Sequence, residues 1–294
     1  MEFDANNLRV NSFAARDGLT LYYSVIGLGP AILFLAGGPG LAVDYLVPIA
    51  ERLADHASCI LFHQRGTGLS QLSDSSCMAI DLNTNLADIE DIRIHLAVDK
   101  WTVFGHSYGG MLALAYAGVH ASRIGSLILV AACGLSLDNF PEYLRQLTLR
   151  LPIEAQHEVA NWSQPNILAE FGDVVYLKQF QHLAPAYFCN TNYAAVLHNS
   201  LPKQFNTSTY SRVTLDLIQR KFDAEESLEE VAIPTIIIQG RQDALGENVP
   251  RSLNSAIAGS KVVFIEDSGH FPWIEQPDSF FNTVDDFCFQ LDQV

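Results

Sequence analysis

The chain is short of charge, and the charge it has is mostly negative. Asp, Glu, Lys and Arg make up 17% of residues, 33 acidic against 17 basic, for a formal net charge of −16. That balance argues against nucleic acid and anionic membrane as partners. It tilts mildly toward neutral or cationic substrates, although screening beyond roughly 8 Å limits what net charge says of any one pocket. Long hydrophobic runs are missing too. The longest apolar stretches, around residues 31–36 and 127–133, fall far short of the roughly 18 residues needed to span a bilayer, and they suit buried parallel strands. The opening Met-Glu-Phe-Asp-Ala-Asn-Asn lacks the basic and apolar regions of a secretory leader. Cysteines are few: Cys59, Cys77, Cys133, Cys189 and Cys288 are odd in number and show no Cys-x-x-Cys spacing. They argue against a disulfide framework or a zinc site and fit a reducing cytoplasm. Cys59 and Cys133 lie in apolar runs and read as small core residues. What the chain does have is apolar mass, 49% of 294 residues. That is enough for one large α/β domain, or a core with an inserted cap, and too much for disorder.

Strand-like and helix-like segments alternate through the N-terminal third. Strands are expected at residues 8–14, 19–26, 31–36 and 58–63, with helices at about 44–55 and 83–97. A strand at 101–104, a helix after Ser107 and a strand at 126–132 follow. Such alternation marks a mostly parallel sheet of about eight strands flanked by helices. The short Arg16-Asp17-Gly18 link predicts an antiparallel hairpin at its start. Between residues 134 and 230 the rhythm breaks: the segment is rich in Gln, Asn and aromatics and carries Pro141, Pro152, Pro165, Pro185 and Pro202. The pattern resumes with a strand at 235–239, a helix near 247–258, a strand at 261–265 and a helix at 277–289. The expected organisation is a core of residues 1–133 and 231–294 with a helical cap, 134–230, between the sixth and seventh strands.

Residues 103–110 read Val-Phe-Gly-His-Ser-Tyr-Gly-Gly, an apolar strand entering Gly-x-Ser-x-Gly and then an Ala/Leu-rich helix. In that context a serine is thrust out of the backbone as a nucleophile. Glycine-rich turns produce the motif by chance, so its weight rests on the partners Ser107 needs: an acid, then a histidine. Asp243, in the loop after the strand at 235–239, lies on the edge where open α/β sheets build sites. Asp138 and Asp267 are the alternative acids. His270 follows the last strand on a loop containing Gly269. His56, His63, His95, His120, His157, His182 and His198 are expected on helix surfaces, in the cap or in a sheet loop, and His106 reads as packed beside the elbow. Gly37-Gly38-Pro39-Gly40 follows the strand at 31–36 and can turn a backbone N–H toward a developing oxyanion. Gly38 is the preferred donor with Gly37 as fallback, and the N–H of Tyr108 is the second. No Gly-Lys-Ser/Thr follows that loop, so a Walker phosphate loop is excluded. No cofactor or metal is implied.

These residues resemble the α/β-hydrolase fold. Gly37-Gly38-Pro39-Gly40 together with Gln64-Arg65-Gly66-Thr67-Gly68-Leu69-Ser70 resembles, more narrowly, the proline iminopeptidase family of serine aminopeptidases. Two departures stand out: Ala36 where that family has a histidine, and His63 where it has an aspartate. The resemblance implies cap glutamates that bind a free amine. Glu142, Glu154, Glu158 and Glu170 are candidates by location alone. Expected, then, is a Ser107–His270–Asp243 hydrolase in the cytoplasm, working through an acyl-enzyme on a small molecule or short peptide. An aminopeptidase or amidase is the first reading and a carboxylesterase or lactonase the second. A hydrolase-fold ligand-binding protein with slow turnover is the third.

Overall fold

A computed structural model describes residues 9–72, 80–196, 205–229 and 231–291. Cys77, His198 and Pro202 fall outside the described residues. Eight strands form one sheet: β1 (Val10–Ala14), β2 (Thr20–Ile26), β3 (Ala31–Leu35), β4 (Ser58–His63), β5 (Trp101–His106), β6 (Ile124–Val130), β7 (Thr235–Gly240) and β8 (Lys261–Ile265). Their spatial order is β1-β2-β4-β3-β5-β6-β7-β8. β1 and β2 form the antiparallel hairpin expected from Arg16-Asp17-Gly18, and β2 also pairs antiparallel with β4. All other pairings are parallel.

The central strands are buried almost throughout: β7 is buried along its whole length, and β3, β5 and β6 each at all but one position. That is why they read as unbroken apolar runs and not as alternation; helices cover both faces of a parallel sheet. Phe34 of β3 and Phe104 of β5 stack at 4.9 Å in the middle of this layer. The flanking helices are α1 (Val47–Leu53), α2 (Leu82–His95), α3 (Tyr108–His120), α10 (Asn248–Ala256) and α12 (Pro277–Leu291), with a one-turn α11 at Pro272–Glu275. The start of α2 is set by a capping box: Asp81 Oδ1 accepts from the Thr84 amide at 2.8 Å, and the Asp81 amide donates to Thr84 Oγ1 at 3.0 Å.

Between β6 and β7 the described residues form helices α4 (Phe140–Leu149), α5 (Ile153–Trp162), α6 (Pro165–Phe171), α7 (Val174–Leu183), α8 (Thr207–Gln219) and α9 (Glu225–Leu228). The isolated bridges of Leu41 with Phe205 and of Ser136 with Asp223 lie outside the named strands and these helices. Pro141, Pro152, Pro165 and Pro185 stand at or just before a helical first turn, where a missing N–H costs nothing. Helix 44–55 is shorter than expected: a 3-10 turn spans Val43–Leu46 and the α-helix begins at Val47. β6 stops at Val130, two residues early, because Ala131 takes a φ of +45° and turns the chain.

The Gln64–Ser70 motif proves to be a structural hub. Gln64 Oε1 accepts the Ala36 amide at 2.9 Å, so it fixes the exit of β3. Arg65, 4% exposed, reaches Asp88 of α2 with two bonds at 2.8 and 2.6 Å and Asp17 of the first hairpin at 2.6 Å. Thr209 Oγ1 of α8 donates to Gly66 O at 3.0 Å. One guanidinium thereby ties the edge hairpin and a flanking helix to the strand end. Replacing Arg65 by Met leaves the Asp88 carboxylate buried without its partner, and should lower unfolding free energy by about 3–5 kcal/mol in urea titrations.

Candidate active site

β5 runs two residues further than its apolar core suggests, through His106, so the turn falls on Ser107 itself. Ser107 has φ 55° and ψ −119°, a conformation that costs a non-glycine residue on the order of 1–3 kcal/mol. Surrounding hydrogen bonds over-determine it. The Ser107 amide donates to Val130 O at 3.0 Å, and its carbonyl accepts from Gly110 at 3.0 Å and Cys133 at 3.2 Å. Glycine lets the chains approach: a Cβ on Gly109 would lie 2.2 Å from Leu35 O, and one on Gly37 2.8 Å from Ser107 Cβ. β3, β5 and α3 therefore meet at the elbow with no room for side chains.

His270 lies on the loop after β8. Its amide donates to Tyr187 O at 2.7 Å, and its Nδ1 pairs with Asp243 Oδ2 at 2.8 Å. Asp243 sits just beyond β7, and its carboxylate also accepts from Gln239 Nε2 at 2.8 Å and the Leu245 amide at 3.1 Å. Both residues are 2% exposed. A carboxylate only accepts, so Nδ1 carries a proton, and in the neutral ring Nε2 is the nitrogen left to accept one. Nε2 has no hydrogen-bond partner among the described residues, and His270 and Ser107 line the same cavity. Asp138 and Asp267 are exposed and make no hydrogen bond to the imidazole among the described residues.

The glycine-rich loop borders that cavity as well. The Gly37 amide is already committed, donating to Tyr45 Oη at 2.6 Å. The amides of Gly38 (φ +51°) and Tyr108 have no acceptor among the described residues. Tyr45 Oη lies 2.8 Å from His106 Nδ1, and His106 Nε2 lies 3.0 Å from His270 O. The last acceptor is a carbonyl, so His106 is protonated on Nε2 and takes the tyrosine proton at Nδ1. Burial, with His270 nearby, holds the His106 pKa well below 6.5, in keeping with this neutral tautomer.

A family model described as alpha/beta hydrolase fold matches residues 30–277. The chain belongs to that family. Proline iminopeptidases are its curated relatives: that of Saccharolobus solfataricus is 29% identical, covering 94% of this chain and 90% of the relative. That of Lactobacillus helveticus is 27% identical, covering 94% and 96%. Among solved structures, VinJ superposes with a TM-score of 0.79 at 19% identity, covering 96% of this chain and 99% of that one. An esterase from Exiguobacterium antarcticum gives 0.70 at 22%, covering 94% and 98%. These likenesses establish an α/β-hydrolase enzyme.

Other residues of this hydrolase border the site without having been singled out from the sequence. Cys133, expected in the core, lies in the cavity wall with Sγ 3.3 Å from Ser107 Oγ. The reason is the turn at Ala131, which carries residues 132 and 133 toward the elbow. Burial pushes its thiol up to about 12, so it stays protonated and inert as a nucleophile. Tyr143 of α4 places Oη 3.4 Å from His270 Nδ1, and Tyr187 sets its ring 5.3 Å from the imidazole. Phe140, Tyr176 and Phe180 also line the cavity. Phe188 instead stacks on Phe271 at 5.2 Å, and Trp162 packs against Phe171. Glu275, 7% exposed, accepts the Gly269 amide at 2.6 Å and the Asn190 amide at 2.8 Å, fastening the His270 loop to the helical segment. His63, expected from the sequence on a surface or in a loop, ends β4 and is buried, with Nδ1 3.8 Å from Asp44 and unbonded. Among the described residues no group of three or more His, Cys, Asp or Glu could hold a metal, and no helix is long and apolar enough to cross a membrane.

The His106 shift has a measurable sign. Below pH 6.5 the unfolded imidazole takes a proton that the native one refuses, so stability is full above pH 6.5 and is lost as pH falls through it. In urea unfolding between about pH 7.5 and about pH 5.5, His106→Asn should flatten that part of the stability slope. An unchanged slope would show that His106 is not held neutral.

Proposed function

We propose that Ser107, His270 and Asp243 form a catalytic triad that hydrolyses carboxylic acid derivatives through an acyl-enzyme. What carries this reading is the combination at one sheet edge of a serine held at φ 55° and an imidazole bonded at 2.8 Å to a buried carboxylate. Ser107 Oγ attacks the carbonyl carbon while its proton passes to His270 Nε2. Asp243 holds the tautomer and stabilises the imidazolium. The amides of Gly38 and Tyr108 face the oxyanion, each worth about 3 kcal/mol of barrier. Gly38 is the loop donor, since the Gly37 amide serves Tyr45. The imidazolium returns its proton to the departing group. A water, deprotonated by the same nitrogen, then attacks the acyl carbon and releases the acid and Ser107. No step calls on a metal or cofactor.

Residues 134–230 act in this reading as a cap over a core of residues 1–133 and 231–294. They supply the aromatic side of the chamber, while the sheet supplies the chemistry. The odd cysteine number and spacing support a cytoplasmic setting for this activity. The name of the curated relatives points to an aminopeptidase, whereas the apolar, uncharged lining among the described residues favours an amidase, carboxylesterase or lactonase with the same triad.

Ser107→Ala should lower kcat by about four orders of magnitude or more against any substrate the enzyme turns over, with an unchanged urea midpoint. Asp243→Asn should cost about 10⁴-fold by favouring the wrong tautomer. Near-wild-type turnover by Ser107→Ala would end the proposal.

A further inference from the structure

Among the described residues, the wall of the chamber beside Ser107 carries no Asp, Glu, Lys or Arg, around about 1090 Å³ of empty space counting its open mouth. Met111, Leu137, Leu144, Phe180 and Leu217 supply much of the apolar surface. The polar groups on offer are neutral: Ser136, Gln179, Thr214 and tyrosine hydroxyls. Burial raises the Tyr143 and Tyr187 hydroxyls well above 10, so neither becomes an anion in the working range. The glutamates that could have bound an amine are elsewhere. Glu142 is exposed and paired with Arg145 at 2.7 Å, and Glu154, Glu158 and Glu170 are exposed; none borders the chamber. Buried Glu275 spends both oxygens on backbone amides, and Asp243 spends its own on His270, Gln239 and Leu245.

Resting on the triad reading, we infer that this enzyme takes carboxyl derivatives whose acyl half is uncharged and apolar, and rejects those with a free α-ammonium. A cation entering this chamber gives up its water shell and finds no carboxylate among the described residues that line it. Aromatic faces offer a partial substitute, but cation–π attraction falls short of the desolvation penalty of an unpaired ion. The chemistry adds a second penalty. His270 becomes positive as Ser107 attacks, and an ammonium on the carbon next to the reacting carbonyl faces that new charge without an intervening anion. The curated relatives at 27–29% identity are named proline iminopeptidases. The inference sets this chain apart from them in the acyl group while leaving the reaction the same.

The test is a matched pair: the 4-nitrophenyl esters of cyclopentanecarboxylic acid and of L-proline, two five-membered rings that differ chiefly by the charged nitrogen. Ser107→Ala protein provides the spontaneous rate, and the same acyl pair is repeated as anilides. The neutral ester should be favoured in kcat/KM by about a hundredfold or more at neutral pH. The gap should close as pH rises and the prolyl amine loses its proton. Equal rates, or a faster prolyl substrate, would overturn the inference and leave the triad standing. Fluorophosphonate labelling of Ser107 separates the two claims: a labelled enzyme that leaves the neutral ester intact overturns the substrate inference alone. No label and no turnover would remove the triad, and the inference with it.

Discussion

The site depends on one backbone conformation, that of Ser107. A serine at φ 55° and ψ −119° stays there only because its own amide and carbonyl are tied to Val130, Gly110 and Cys133. Glycine at 109 lets α3 start directly against the carbonyl at the end of β3. The strain is small against the burial of the central sheet, where β5, β6 and β7 lie almost wholly out of water. It is therefore the core that holds the hydroxyl out, and weakening the strand–helix junction would relax the elbow before it unfolded the domain. The same geometry leaves the Tyr108 amide, at the positive end of α3, without an acceptor among the described residues.

A chain of neutral hydrogen bonds then couples the loops around that elbow. The Gly37 amide donates to Tyr45, Tyr45 donates to His106, and His106 donates to the carbonyl of His270. A loop from β3, the last residue of β5 and the loop after β8 are thus held in register by two side chains that carry no charge. Charge would be worse here. A protonated His106 beside His270 would oppose the imidazolium that the proposed mechanism requires, and burial already drives its pKa the other way. Glu275 performs the corresponding task from outside the cavity, gripping the Gly269 amide and reaching across to Asn190.

Much of this was legible beforehand, for identifiable reasons. Buried parallel strands announce themselves as apolar runs, so the sheet and its opening hairpin followed from composition and spacing. Ser107, Asp243 and His270 could be singled out because each follows a strand, and residues after strands converge on one edge; the fold bonds His270 to Asp243 and lines one cavity with His270 and Ser107. Cys133 was misread because its apolar surroundings look like strand, and the left-handed Ala131 that ends β6 has no glycine to announce it. Tyr143 and Tyr187 were visible only as two of many aromatics in a helical segment, where core and chamber walls have the same composition. Glu275 leaves no local signal at all; its partners, Gly269 and Asn190, lie at 6 and 85 residues' separation and are backbone groups.

A chain with net charge −16 whose described chamber wall carries no Asp, Glu, Lys or Arg has separated two electrical problems. Salt damps the surface field within about 8 Å, whereas a group inside a water-poor cavity acts on the reaction undiluted. Among the described residues, the charges that are buried are consumed locally: Arg65 by Asp88 and Asp17, Arg93 by Glu90, Asp243 by its three donors. None is left to bind a ligand. On the proposed mechanism, the sheet edge could do the same acyl chemistry under other walls, and the segment between β6 and β7, free of the strands' packing constraints, would determine what reaches it.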